Sequence, residues 1–452
     1  MKVVKDDVMV ASGPLQLCGG HEAGSEAAVH AMQAILDDPT SDAVMLVDAK
    51  NAFNNLNRRA ALINIQYLCP AIATVLINCY RDEASLFVGG EVLLSREGTT
   101  QGDPLAMAMF ALATVPLMEK VSTNHTTQAW FADNSACGGK LLWLRKWWDA
   151  LQAVGLAFGY FPNAIKTILV VKLDKVDEAI KEFDGTDVEI TTIGYRYLGG
   201  CLGSHDFATE DLAERTAKWT AEVVTLAEIA KSQPHAAYAA FTHGLIGRWV
   251  YQMRVLKQSV SSELQPLENA VSLALLPALT GQGPPNANMR KLLTLPARKG
   301  GLGIVNPVNM VARHQEASRA ICKPLTKLIL EQGGDVIIAR QQQHVIKSQL
   351  AKQRQAELNM EAESYISNLP EEVRRGALAA QEPGASSWLS TVPVTWHGLT
   401  FHKGAFRDAI CLRYGWRPPL LPQMCKCGEA FNVANALVCR YGGYQTLGHN
   451  QL

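Results

Sequence analysis

Ala43-Val44-Met45-Leu46-Val47 is an unbroken apolar run that stops on a carboxylate, Asp48. An alternating run suits a strand with one wet face, whereas a continuous one suits a strand covered on both faces. Such a strand needs helices around it, and the sequence supplies them. AGSEAAVHAMQAIL (residues 23–36) has helix-forming composition after the Gly-rich LCGGHEAG, and DDPTSD breaks the chain before the strand.

Helical segments follow around residues 57–80, and the alternation of SLFVGGEVLLS reads as a hairpin. The loop REGTTQGDP leads into a strongly apolar helix, LAMAMFALATVPLMEKV, with Pro104 at its start. QAWFA is a hairpin arm with an Asp133-Asn134 tip; after it come a helix, KLLWLRKWWDALQAVG, and a strand, TILVVKL. Residues 206–275 read as long helices broken at Gln233-Pro234, and 340–365 as a polar helix after Gly333-Gly334. Strands cluster before residue 205 and helices dominate beyond it. The expectation is an α+β domain followed by helical ones.

With 48% hydrophobic and 19% charged residues, the chain can bury sizeable cores and is not a disordered polymer. Charges at Lys5, Asp6 and Asp7 fall where a signal peptide needs apolar residues, and no run approaches a membrane span. Seven of the ten cysteines are scattered singly, and only Cys425, Cys427 and Cys439 cluster. That pattern suits a reducing compartment, so an intracellular protein, nuclear or cytoplasmic, is expected. A formal net charge of zero counts against a polyanion-binding surface without excluding a local groove.

Asp48 and Asp133 each terminate an apolar strand. A carboxylate there is costly unless paired or bound to a cation. Two strands lying side by side would bring both acids to one sheet edge, and two carboxylates completed by phosphate and water are a Mg²⁺ ligand set. Two such ions clamp the attacking and leaving oxygens of a phosphoryl transfer. The plainer alternative is that both are strand-end turn residues, a common place for Asp.

Four blocks, in order, resemble the reverse transcriptases of non-LTR (LINE-type) retrotransposons: Asp48-Ala49-Lys50-Asn51-Ala52-Phe53-Asn54, Glu97-Gly98-Thr99-Thr100-Gln101-Gly102-Asp103-Pro104-Leu105, Phe131-Ala132-Asp133-Asn134, and Gly159 to Thr167 followed by Tyr197-Leu198-Gly199-Gly200-Cys201-Leu202-Gly203. The resemblance implies a right-hand polymerase with fingers, a palm and a helical thumb, extending a DNA primer on an RNA template with deoxynucleotides and two Mg²⁺ ions. It implies Asp48, Asp133 and the Ala49 carbonyl as metal ligands, with Phe53 against the incoming sugar. Gln101 and Gly102 would lie near the nucleotide, and Lys166 would be a general acid toward pyrophosphate. It puts Asp at the position Asn134 occupies. Asn tolerates a left-handed turn as Asp does, so the change is expected to keep the shape and remove a charge.

QPHAAYAAFTHGLIGRWVY (233–251) and LPARKGGLGI (295–304) resemble the thumb region of these elements, with His235, His243 and Arg248 as backbone-facing candidates. Arg340, Lys347, Lys352 and Arg354 run without an intervening acid, either a phosphate-tracking face or a solvated helix. In the tail, Cys425, Cys427, Cys439 and His449 offer four zinc ligands, and Asn435 stands where the family's knuckle has His. The domain division expected is 1–205 partial fingers and palm, 206–305 thumb, 306–420 helical linker and 421–452 zinc-knuckle-like tail, a chain shortened at both ends relative to the family. Three readings stay open: an active reverse transcriptase, an inactive retroelement remnant that retains nucleic-acid binding, and an RNA-dependent RNA polymerase. Phe53 speaks against the last.

Overall fold

A computed structural model describes residues 3–100, 102–256, 258–418 and 421–441. It divides into two compact units, each assembled from three stretches of chain. One comprises Met1–Ala213, Val250–Ser261 and Val311–Lys352, the other Glu214–Trp249, Ser262–Met310 and Gln353–Leu452. No helix among the described residues is long and apolar enough to cross a membrane.

The first unit is a mixed α+β body built on a five-stranded sheet in the order β4-β5-β1-β6-β7. The strands are β1 (Ala43–Val47), β4 (Thr126–Phe131), β5 (Asn134–Gly139), β6 (Ile168–Val171) and β7 (Glu189–Thr191). Only the β6–β7 pair is parallel. The unbroken apolar run is the central strand, buried at every residue. Its alternation sends Ala43, Met45 and Val47 into one cluster with Trp130, Trp147 and Trp148. Val44 and Leu46 enter a second cluster with Ala28, Ala31 and Met32 of helix α2 (Gly24–Asp37). Both faces are dry, as the run required.

Three more helices shape the working end: α3 (Ala52–Asn55), α4 (Arg58–Leu68) and α6 (Ala106–Val121), the last buried on nearly every side as its composition demands. Asp103 rather than Pro104 sets the approach to α6. Its Oδ1 accepts the Leu105 N–H at 2.8 Å, and its Oδ2 accepts the Tyr80 hydroxyl. Two separate ribbons complete the unit. β2 (Ala84–Val88) pairs with β3 (Glu91–Ser95), exposed along almost its full length, and β8 (Gly194–Tyr197) pairs with β9 (Gly200–Gly203).

The second unit is helical. Pro234–Ala240 follows the break expected at Gln233-Pro234, and a buried Arg290 holds Glu268 through two 2.7 Å contacts. The tail residues Cys425, Cys427 and Cys439 belong to this unit.

Candidate functional site

Val47 pairs with Ser135, and Phe131 pairs with Asn134 across the hairpin. Two consequences follow. The strands that end in Asp48 and Asp133 are not neighbours, because β5 lies between β1 and β4; the expectation of direct pairing is corrected. The acids still reach the same end of the sheet, since Asp133 sits in the two-residue loop that turns β4 into β5. One further step of register sets Asp48 beside Asn134, and both line a cleft with Ser135, Lys166, Arg196 and Leu198. Lys166 Nζ stands 3.5 Å from Asp48 Oδ2.

The turn is also built differently from the sequence expectation. Its left-handed residue is Ala132 (φ 56°), while Asn134 is the first residue of β5. Asn134 therefore conserves no turn geometry of its own; it places an amide where the register faces Asp48. A side chain with a Cβ at positive φ needs outside support. Gln16 provides it. This residue is fully buried, and its Oε1 accepts the Ala132 N–H at 3.0 Å. Its Nε2 donates to the Ala132 carbonyl at 3.3 Å and to Thr114 Oγ1 at 2.9 Å. Tyr160 braces the other side, donating its hydroxyl to the Asp133 carbonyl at 2.9 Å. Burial pushes that phenol well above its ordinary value, so it serves as a neutral donor.

Asp133 is partly buried, and its carboxyl is held above the usual carboxylate range, first by desolvation and then by the charge of Asp48. A second acid beside a partly desolvated carboxyl at a sheet end forms an arrangement that a divalent cation relieves. A third oxygen is at hand. The backbone bonds around Ala49 run from Lys50 N–H to Phe161 and from Asn163 N–H to the Asp48 carbonyl, leaving the Ala49 carbonyl without a hydrogen-bond partner among the described residues.

The loop after β3 is fastened against α3. Thr99 N–H donates to the Phe53 carbonyl at 2.7 Å and Gly98 N–H to the Leu56 carbonyl at 2.9 Å. A Cβ on Gly98 would lie 2.3 Å from the Phe53 carbonyl oxygen, so only glycine fits there. Arg58, buried at the start of α4, gathers the Ser95, Glu97 and Gly98 carbonyls with its guanidinium. Phe53 is half-buried and stacks on Phe110 at 4.5 Å. Gly102 (φ 89°) faces open space, and Gln101 lies outside the described residues.

Sequence reasoning missed Gln16 and Arg58. The one local signal for Gln16 was a polar side chain between two leucines in Leu15-Gln16-Leu17. For Arg58 there was none.

Elsewhere the structure redirects several candidates. His235 is buried, accepts the Phe401 N–H at 3.2 Å and stacks on Phe406, so it faces no nucleic acid. Arg248 pairs with Glu222, while His243 is exposed. Arg340 and Lys347 are spent on Asp6 and Glu22, and Arg354 on Glu361; the exposed Lys352 has no ion pair among the described residues. The run is a neutralised helix surface rather than a free basic face.

In the tail, Cys425, Cys427 and Cys439 bring their sulfurs within 4.8 Å of one another, a cluster able to hold a metal ion such as zinc. Asn435 Nδ2 donates to Cys427 Sγ at 3.3 Å, and this bond leads the lowering of the Cys427 thiol to about 7. His449 lies outside the described residues. The chain matches no protein-family model, and no curated protein matches it.

Proposed function

We propose that this protein is an RNA-directed DNA polymerase core of retrotransposon type, with the first unit's sheet as the palm of a right hand. Asp48, Asp133 and the Ala49 carbonyl are the ligands for two Mg²⁺ ions, and residues 206–305 are the thumb. The observation that carries the reading is convergence. Blocks separated by up to 118 residues, from Asp48 to Lys166, meet at one end of one sheet, where burial and then the charge of Asp48 raise the Asp133 carboxyl.

The cations would neutralise charge on a transferring phosphoryl group and lower the pKa of the primer hydroxyl. The chain's own residues do the rest. Gln16 and Tyr160 hold Asp133 in place through the backbone on either side of it, so the carboxylate needs no rearrangement when a substrate arrives. Lys166, paired with Asp48 at rest, is the cation of this cleft that would hand a proton to a leaving pyrophosphate. Phe53, backed by Phe110, offers a ring edge that excludes a 2′-hydroxyl. Gly102 leaves room for close approach of the nucleotide.

A second reading has its own support. Asn134 beside Asp48 withholds a carboxylate, and Lys166 already supplies Asp48 with a counter-charge. On that reading the chain is an inactive remnant that retains nucleic-acid binding. Extension of a DNA primer on an RNA template, with magnesium and deoxynucleotides, separates the two. Activity that needs magnesium and fails with ribonucleotides supports the polymerase; primer-template binding without extension supports the remnant.

A further inference from the structure

Three thiols and one amide converge in the last described segment. Cys425 Sγ donates to Cys439 Sγ at 3.4 Å, and all three sulfurs lie within 4.8 Å of one another. Tetrahedral bonds of about 2.3 Å to zinc would hold sulfurs roughly 3.8 Å apart, so the thiols already stand near a coordinated spacing. Among the described residues no fourth Cys, His, Asp or Glu joins them.

Asn435 does. The chain delivers it there by local means: Asn432 Oδ1 accepts the Asn435 N–H at 2.8 Å, and the Cys439 N–H donates to the Asn435 carbonyl at 2.8 Å. One end of its side-chain amide donates to Cys427 Sγ. The other end, Oδ1, is buried with no hydrogen-bond partner among the described residues. A buried acceptor left unpaired is uncommon in a native fold and calls for an explanation.

We propose that this oxygen is the fourth ligand, making the tail a three-thiolate centre for zinc or another thiophilic divalent ion, closed by Asn435 rather than by a histidine. The chemistry is self-consistent. Three thiols that ligate release three protons to solvent, and the resulting thiolates already exceed the cation's charge. A neutral oxygen completes the tetrahedron without adding to that excess, and the amide N–H on Cys427 disperses part of it. A neutral amide binds more weakly than an imidazole, so the ion exchanges more readily than from a site with a nitrogen fourth ligand. The proposal is independent of the polymerase reading, because it is tested without nucleic acid.

The test uses the full chain stripped of metal, with zinc titrated against a chromophoric chelator and cobalt absorption as a second readout. One zinc per chain is expected for the natural sequence. Asn435→Ala should weaken binding by about 10- to 100-fold and shift the cobalt ligand-field bands, with the thiolate-to-cobalt charge-transfer intensity unchanged. Asn435→His should tighten binding, a gain that a merely damaged fold cannot produce. His449→Ala should bind as the natural chain does. The proposal is overturned if Asn435→Ala is silent, if His449→Ala causes the loss instead, or if the natural chain binds zinc no better than Cys439→Ser.

Discussion

Asparagine stands at two places in this chain beside candidate metal ligands, the carboxylates Asp48 and Asp133 at one and three thiols at the other, and the surroundings give the two opposite consequences. Asn134 lies at the end of a buried sheet, beside Asp48 and one residue from Asp133, in a site of oxygen donors. Asn435 lies among three thiols in a short, largely exposed tail. Hard cations are held chiefly by charge, so exchanging a carboxylate for an amide removes much of the attraction. A thiolate-rich site already has charge in surplus, and a neutral fourth ligand suits it. The supports differ as well. The sheet end holds its geometry through Gln16, Tyr160 and a dry core. The described tail is held by short-range bonds, such as Cys425 N–H to the Glu429 carbonyl and Phe431 N–H to the Gln423 carbonyl, around its thiols.

The largest expected effect comes from removing charge at the sheet end. Asp133→Asn should lower magnesium-dependent primer extension by at least about a hundredfold. The same variant should be more stable than the parent in metal-free buffer. The Asp133 carboxyl titrates above its unfolded value, so its ionisation favours the unfolded chain. Stability is therefore full below the ordinary carboxylate range and is lost as pH rises through the raised native value. Calorimetry across that window should show the loss in the parent and not in Asp133→Asn.

Next in size is the reverse change. Asn134→Asp places a third carboxylate opposite Asp48, which should lower stability without metal and raise extension by about 10- to 100-fold, or roughly 1.4 to 2.7 kcal/mol of transition-state stabilisation. Magnesium titrations should show a lower requirement. Nothing comparable follows at the tail, where adding an acid through Asn435→Asp would increase an existing surplus of negative charge. Measuring both variants in parallel sharpens the contrast, and a similar response at the two sites would break it.

A smaller effect is expected from the supports. Gln16→Met keeps the length of the side chain and removes its bonds to Ala132, leaving a buried N–H unpaired at a cost of about 1–3 kcal/mol. Extension should fall by about tenfold, at the scale of 1.4 kcal/mol per decade, and the magnesium requirement should rise while primer-template affinity holds. A drop in thermal stability with unchanged magnesium dependence would reduce Gln16 to a structural residue.

These sites were unequally legible in the sequence. The central strand announced itself because burial on both faces leaves no polar position in Ala43–Val47, and the hairpin because its arms flank a short acidic turn. The order of the strands was not readable. Whether β5 or β4 adjoins β1 depends on pairings 88 to 96 residues apart, such as Val47 with Ser135 and Ala43 with Gly139. The supports were hidden for the same reason, since Gln16 meets Ala132 across 116 residues. The choice between a phosphate-tracking face and a solvated helix stayed open in the sequence because ion pairing is a long-range property. Arg340 and Lys347 are neutralised by Asp6 and Glu22, more than 300 residues away in the sequence. The resemblance marked Asn435 as standing at a histidine position, but that its oxygen has no partner among the described residues became visible only with the fold.

The claim that the sheet end is a two-metal polymerase site is tested most directly by single-nucleotide primer extension on an RNA template, with the parent chain, Asn134→Asp, and Asn134→Asp combined with Asp133→Asn. The account predicts magnesium-dependent deoxynucleotide addition that rises in the second protein and vanishes in the third, with primer-template binding equal in all three. Folded proteins that bind the primer-template yet show no addition in any of the three, or addition that survives the loss of Asp133, would contradict it.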